Sequence, residues 1–343
     1  MLKQISLLIL CAAAIVWFAT PVQACTSAVV SGKVTPDGRP LLWKNRDTDF
    51  MRNHVDYVKG EKYDFIAVVN SVNAYLKEAW MGTNSAGFAL MNTQSYNLVD
   101  VKGDEERGAA NGRVIYRALE VCATVEDFCH FLDTISKPSD IEANFGVIDA
   151  QGGAAMFEVD YYKYAMYDAN NPKDAPYGYI ARTNFSFAGK VNEGAGYVRY
   201  MEADQVLMKA SATGSITPQF IFNDLSRSFR NRMLDIDLRS GAYNRPQASG
   251  WFVDQDFIPR SSTSCSVVVQ GVKPGEKAEL TTMWTLLGYP PTGIAVPLWV
   301  KDAGKLLPGM VRFGKEHEWN NTGSKRWKDA LDITLEAQAF LSS

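Results

Sequence analysis

Val22-Gln23-Ala24-Cys25-Thr26-Ser27-Ala28-Val29-Val30 joins two kinds of sequence. Before it stand Met1, Leu2 and Lys3 and an apolar run from Ile5 to Phe18. A basic start, an apolar core and small residues ahead of Cys25 make residues 1–24 read as a secretory signal peptide. After it, Thr26 to Val30 begin at once as an alternating strand. The expectation is cleavage after Ala24, leaving 25–343 as a single domain, periplasmic or secreted.

Cleavage there would put a free α-amine and a thiol on one residue. An α-amine has a pKa of roughly 7.7–8.0 and a free cysteine thiol about 8.5, so near neutral pH the amine can take the thiol proton. Such a residue is its own general base and needs no histidine. Two other readings of Cys25 stand beside this one. A lipoprotein signal also ends at a cysteine, which would acylate both groups and anchor a binding protein. Gln23 suits that signal poorly, and the strand that follows at once leaves no polar tether. The third reading is a structural or disulfide-bonded cysteine.

Composition narrows the field. Hydrophobic residues make up 46% of the chain and charged residues 21%, enough apolar material for a globular core. A net charge of −3 argues against nucleic acid or anionic membrane as partner. Beyond the leader no apolar run reaches the ~18 residues of a membrane span. Without the leader's Cys11, four cysteines remain: Cys25, Cys122, Cys129 and Cys265. That is too few for a disulfide scaffold. Cys122 and Cys129 would lie ~10 Å apart along a helix, out of bonding reach, so the downstream three read as buried free thiols. His54, His130 and His317 form no ligand spacing, and no GxSxG elbow is present. No metal and no cofactor is expected.

Strand patterns fall at Ser27–Ser31, Pro40–Lys44, Phe65–Asn70, Lys77–Met81 and Gly87–Thr93, with Asn84-Ser85-Ala86-Gly87 as a hairpin turn. Val114, Ile115, Ala118, Leu119 and Cys122 predict a helix, and Thr124 caps a second one carrying Val125, Phe128 and Leu132. Further strands are expected at Phe145–Asp149, Ala154–Val159, Tyr164–Tyr167 and Tyr179–Thr183. A helix follows with Tyr197, Tyr200, Met201, Leu207 and Met208 on one face, then another from Thr217-Pro218. A loop runs from Arg239 to Pro259, and strands return at Ser264–Gln270, Glu279–Leu286 and Ile294–Val300. An amphipathic helix closes the chain at Ser324–Leu341. Segregated blocks of strands and helices imply an α+β layered domain, with two antiparallel sheets between helix layers.

Four stretches line up behind the leader: Cys25-Thr26, then Leu42-Trp43-Lys44-Asn45-Arg46-Asp47, then Gly82 to Thr93, then Ala181-Arg182-Thr183-Asn184-Phe185. Their order resembles the N-terminal-nucleophile (Ntn) linear amide hydrolases. These comprise choloylglycine (bile salt) hydrolases, penicillin V acylases, acid ceramidases and acyl-CoA:6-aminopenicillanic acid acyltransferases. The resemblance implies a four-layer αββα sandwich and a hydrolase acting on a linear, non-peptide C–N bond through a Cys25 thioester.

It also implies roles. Cys25 would be nucleophile and base, and Asp47 the carboxylate that orients the α-amine. Asn184 would help stabilise the oxyanion. Asn92 matches a further site asparagine, with Gln94 as alternative if the register slips by two. The hydrolases carry arginine where this chain has Lys44, and Arg46 lies two positions on, so either could supply the cation beside the thiol. That departure points to a sister subfamily of the bile salt hydrolases. Arg182 and Arg260 could face a substrate carboxylate or lie at the surface, and Trp43 could line an acyl pocket or belong to the core. Acyltransferase and dipeptidase remain open within the nucleophile class. The partner is a small-molecule amide, most plausibly an N-acyl amino acid, and a homo-oligomer is possible.

Overall fold

The computed structural model describes residues 24–312, apart from 73, 100–107, 241–255, 302 and 310. Its first strands are β1 (Cys25–Val30), β2 (Leu41–Asp47), β3 (Asn53–Val58), β4 (Phe65–Asn70), β5 (Met81–Asn84) and β6 (Ala89–Gln94). Helices α1 (Asn111–Val121) and α2 (Val125–Thr134) follow, then β7 (Ala143–Ile148), β8 (Ala154–Val159), β9 (Tyr164–Asp168) and β10 (Tyr179–Arg182). Helix α3 (Tyr197–Ser211) leads to a short turn at Pro218–Phe220 and a π-helical turn at Ile221–Leu225. The hairpin β11 (Arg230–Asn231) and β12 (Ile236–Asp237) precedes β13 (Thr263–Gln270), β14 (Thr282–Leu287) and β15 (Val296–Leu298).

Two antiparallel sheets result. One has the order β10-β1-β2-β13-β14-β15, and the other is a meander from β3 to β9. Between them lies an apolar layer of Val29, Leu42, Ile66, Val68, Met91, Val267 and Val269. Outside the meander, α1 and α2 bring Val114, Ile115, Leu119, Phe128 and Leu132 against Phe65, Leu90 and Phe145. Outside the first sheet, α3 and the turns after it bring Ala203, Leu207, Ile221 and Leu225 against Ala28, Leu41, Trp43 and Val268. The four-layer αββα sandwich is therefore observed. Each fully buried Leu, Ile or Phe contributes about 1.5–3 kcal/mol, which makes the three cores the main support of the fold.

Local chemistry explains the joints. Asn84 turns the β5–β6 hairpin, its Oδ1 accepting from Ala86 N and Phe88 N, while its Nδ2 donates to Leu119 O and Cys122 O at the end of α1. Gly87 completes that turn at φ 78°, a conformation that favours glycine. Thr124 and Asp127 form a capping box at the start of α2.

Some expectations need correction. Lys77–Met81 is not a strand: a 3-10 turn occupies Ala74–Leu76 and the strand starts at Met81. Strand β3 was not expected, its polar alternation Asn53-His54-Val55-Asp56 masking a partner of β4. The inward face of α3 is rotated from the expected one, although Tyr200, Leu207 and Met208 do pack on the helix-side core. It buries Arg199, Glu202, Ala203, Leu207 and Ala210, while Tyr197 and Met201 are exposed. The Ser324–Leu341 helix and most of the Arg239–Pro259 loop lie outside the described residues. The described cysteines are all free thiols; Cys122 and Cys265 are buried and Cys129 is half-buried. No described helix is long and apolar enough to cross a membrane.

Candidate active site

Period-two alternation decides which side chains meet. In β2, Leu42 belongs to the inter-sheet core and Leu41 and Trp43 to the helix-side core. Lys44 and Arg46 therefore project between the sheets, and Asn45 and Asp47 toward the helices. In β1, Val29 shares the inter-sheet face, which carries Cys25 and Ser27 with it. Cys25 pairs with Arg46 across the ladder and Ser27 pairs with Lys44. On the other side of β2, Cys265 also pairs with Arg46. Both cations thus end up beside Cys25, at the point where the apolar layer becomes polar.

Cys25 is held from several directions. Its backbone N donates to Asn184 Oδ1 at 2.9 Å, and its Sγ lies 3.9 Å from Asp47 O. Asn184 cannot turn over without losing bonds, because its Nδ2 donates to Gln94 O at 2.8 Å. Arg199, 2% exposed, reaches in from α3. Its Nη1 donates to Cys25 O and Thr26 Oγ1, and its Nη2 donates to Asn184 Oδ1. Gly196, the residue before α3, has φ 86°, and a Cβ there would run into the Arg199 guanidinium. Glycine is what lets α3 start so close to the site.

Lys44 Nζ donates to Trp80 O at 3.0 Å and to Asn92 Oδ1 at 2.9 Å. Burial lowers its pKa from 10.5 to about 8, against the pull of Cys25. Arg46 bonds Asn53 Oδ1 and, at 2.8 Å, Asn70 Oδ1, and its guanidinium carbon lies 4.6 Å from the centre of the Trp80 ring. Burial also lowers Arg46 and Arg199 to about 10, which leaves both charged at neutral pH. Burial pushes the Cys265 thiol up to about 11, so this second sulfur stays protonated.

The structure redistributes the expected roles. Asp47 does not reach the Cys25 nitrogen: its carboxylate is engaged by Arg260 Nε at 3.0 Å and Thr263 Oγ1 at 2.6 Å. The cause is its place on the helix-facing side of β2, opposite the face of Cys25. Burial raises the Asp47 pKa while Arg260 and Arg199 lower it. Asn184, expected at the oxyanion, instead faces the Cys25 nitrogen. Arg260 is spent on Asp47, and Arg182 is buried in an ion pair with Glu158 at 2.7 Å, so neither presents a free charge to a substrate carboxylate. Trp43 is fully buried among helix-side core residues and donates from Nε1 to Ser266 Oγ, so it lines no pocket. Asn92 lies beside Lys44, and the Gln94 side chain turns to Asn111 and Ser95.

Sequence reasoning missed Arg199 and Thr263. Arg199 sits four residues before Ala203 and eight before Leu207, on one helical stripe with them, and that spacing was the available signal. Nothing in the sequence around Thr263 distinguishes it. Among the described residues, no group of three or more His, Cys, Asp and Glu side chains could hold a metal ion.

Likenesses to solved structures are distant. The conjugated bile acid hydrolase from Clostridium perfringens, as a mutant, is 14% identical over 81% of this chain and 93% of that one, with TM-score 0.45. Penicillin V acylase from Agrobacterium tumefaciens is 15% identical over 77% of this chain and 82% of that one, with TM-score 0.40. A Caenorhabditis elegans ortholog of N-acylethanolamine-hydrolyzing acid amidase is 18% identical over 59% of this chain and 89% of that one, with TM-score 0.39. A comparison with curated proteins finds no match. One family model does match, over residues 34–210, just over half of the 343-residue chain. By that match, the chain belongs to the acyl-coenzyme A:6-aminopenicillanic acid acyl-transferase family.

Proposed function

We propose that Cys25, freed by removal of residues 1–24, is the N-terminal nucleophile of an exported, periplasmic or secreted, amidase that cleaves a linear, non-peptide N-acyl amide. The observation that carries this reading is the Cys25 backbone nitrogen, fixed at 2.9 Å from Asn184 Oδ1 by an asparagine that Arg199 and Gln94 O hold in place. A nitrogen held this way is where a released α-amine would need its orienting acceptor. In the peptide-linked chain that acceptor already points at it.

The chemistry then follows from the residues. The α-amine takes the thiol proton, and the thiolate sulfur bonds to the amide carbonyl carbon. Lys44 and Arg46 flank Cys25 on the same face of the sheet. Lys44 holds Asn92 by its Oδ1, which leaves the Asn92 Nδ2 as the end that can donate to the oxyanion. As the C–N bond breaks, the leaving amine takes the proton from the α-ammonium, and a thioester remains. Water attacks that thioester, gives up a proton, and releases the acid and the free thiol.

The family match favours a second reading, in which an acceptor amine replaces water and the acyl group is transferred. A dipeptidase uses the same nucleophile on a different bond. A lipid-anchored binding protein would need Cys25 on a tether, whereas β1 begins at Cys25 itself with every residue buried. The test is Cys25→Ser in the exported protein, assayed on a panel of N-acyl amides. Hydrolysis is expected to fall by at least about 10³-fold with the thermal midpoint unchanged, and undiminished hydrolysis would overturn the proposal.

A further inference from the structure

The inter-sheet face of the meander changes character along one cross-strand row. On β6 that face carries Ala89 and Met91, on β7 Gly146 and Ile148, and on β8 Ala154 and Met156. Two residues further along, the same face carries Thr93, Asn144 and Glu158 instead. Thr93 pairs with Asn144 and Asn144 with Glu158, and all three are buried. Polar groups in such a layer cost about 1–3 kcal/mol each unless they are bonded.

What they bond is the segment that carries Asn184. Asn144 Nδ2 shares its hydrogens among Thr93 Oγ1 at 3.0 Å, Thr183 O at 3.3 Å and Phe185 O at 3.2 Å. The last two are the carbonyls on either side of Asn184. Asn144 Oδ1 accepts from Ser186 Oγ. Backbone carbonyls only accept, so the amide nitrogen must face them and the side chain has one orientation. Glu158 holds the flanks, its carboxylate accepting from Arg182 Nε, Phe187 N and Ala188 N. Thr93 lies between Asn92, which Lys44 bonds, and Gln94, whose backbone O accepts from Asn184 Nδ2. Asn144 thus ties together the two segments from which Asn92 and Asn184 project.

We infer that Asn144 is a positioning residue for the proposed reaction. By fixing the carbonyls before and after Asn184, it sets where Asn184 Oδ1 stands and so where the Cys25 nitrogen is received. The inference rests on the N-terminal-nucleophile reading. Asn97 supplies the contrast. It is equally buried, and its Nδ2 donates to Ser186 O and Lys190 O while its Oδ1 accepts from Ser186 N. Asn97 therefore grips the same loop beyond Asn184, and a purely structural role would make the two asparagines equivalent.

Two measurements on the exported, mature protein separate them. One is kcat and KM on the N-acyl amide that the wild type cleaves fastest. The other is the rate at which iodoacetamide alkylates Cys25 at pH 7, located by peptide mass, which needs no substrate. Asn144→Ala should lower kcat about 10²-fold with KM within about threefold, and slow the alkylation about 10-fold. Asn97→Ala should lower the thermal midpoint comparably and leave both rates within about threefold. In an Asn184→Ala background, Asn144→Ala should cost less than about threefold further, because its effect passes through that residue. If Asn144→Ala does not fold, Ser186→Ala removes the hydroxyl that Asn144 accepts and should lower both rates about fivefold. Equal losses in Asn144→Ala and Asn97→Ala, an undiminished effect in the Asn184→Ala background, or unchanged rates in the variant read would overturn the inference. With Cys25→Ser inactive, each of those results leaves the amidase standing. Alkylation slowed in Asn144→Ala and not in Asn97→Ala, with no amide cleaved by the wild type, would uphold the positioning role and remove the amidase.

Discussion

The two helix layers of this sandwich bury different things. The α1–α2 layer is apolar but for Asn111 at the start of α1: Val114, Ile115, Leu119, Phe128 and Leu132 face Phe65, Leu90 and Phe145. The α3 layer buries Arg199 and Glu202 beside Ala203 and Leu207. Glu202 meets Ser228 and Arg232, whereas Arg199 meets the backbone of Cys25, the proposed nucleophile, and the asparagine that holds it. One layer supports the fold alone, and the other supports the fold and positions the site. A helix that must reach the Cys25 backbone with a guanidinium cannot be apolar along its whole inner stripe.

Breaking that contrast gives the largest expected effect. Arg199→Met leaves Cys25 O, Thr26 Oγ1 and one acceptor site of Asn184 without their donor. The kcat/KM for any amide the enzyme cleaves should fall about 10²-fold, the scale of a misplaced reacting group. A variant that keeps wild-type kcat/KM would show that α3 is structural only.

The matching change in the other layer should act on stability and spare catalysis. Leu119→Ala removes a fully buried side chain from the α1 core and should cost about 2–5 kcal/mol in denaturant unfolding. The folded fraction should retain kcat/KM within about threefold. A larger catalytic loss would mean that the two layers are not separate in function.

Lys44→Arg sharpens the account with the smallest change. Burial lowers the Lys44 pKa from 10.5 to about 8, so its ammonium is present below about pH 8 and lost above it. Between about 8 and 10.5 the unfolded chain binds the proton that the folded chain has released, so the Lys44 contribution to stability rises with pH across that window. Activity should move the other way, with kcat/KM falling as pH climbs through about 8. In Lys44→Arg the alkaline fall should shift upward by a unit or more, because a guanidinium keeps its charge. An unmoved profile would mean that Lys44 does not set that limb.

Much of this was legible where pattern and physics agreed. The apolar strands β4, β8 and β13, the α1 stripe and the Thr124 cap all follow from apolar spacing and turn chemistry. Lys44 and Arg46 sharing a face follows from the strand period. What failed has a common cause. Arg199 is a charge on an apolar stripe, so reading only the hydrophobic residues rotated α3 away from its true face. The role expected of Asp47 was lost to parity: it lies one residue beyond Arg46 and so points to the opposite side of β2. Arg182 and Arg260 have partners, Glu158 and Asp47, that are distant in sequence and become visible only once the strands are registered.

The central claim is that Cys25 becomes a free N-terminal nucleophile. Intact mass and N-terminal sequencing of the protein exported by its own leader test it most directly. The account predicts a chain that starts at Cys25 with the mass of an unmodified thiol and amine. A chain that retains Ala24, or a Cys25 whose mass carries acyl groups, would contradict it.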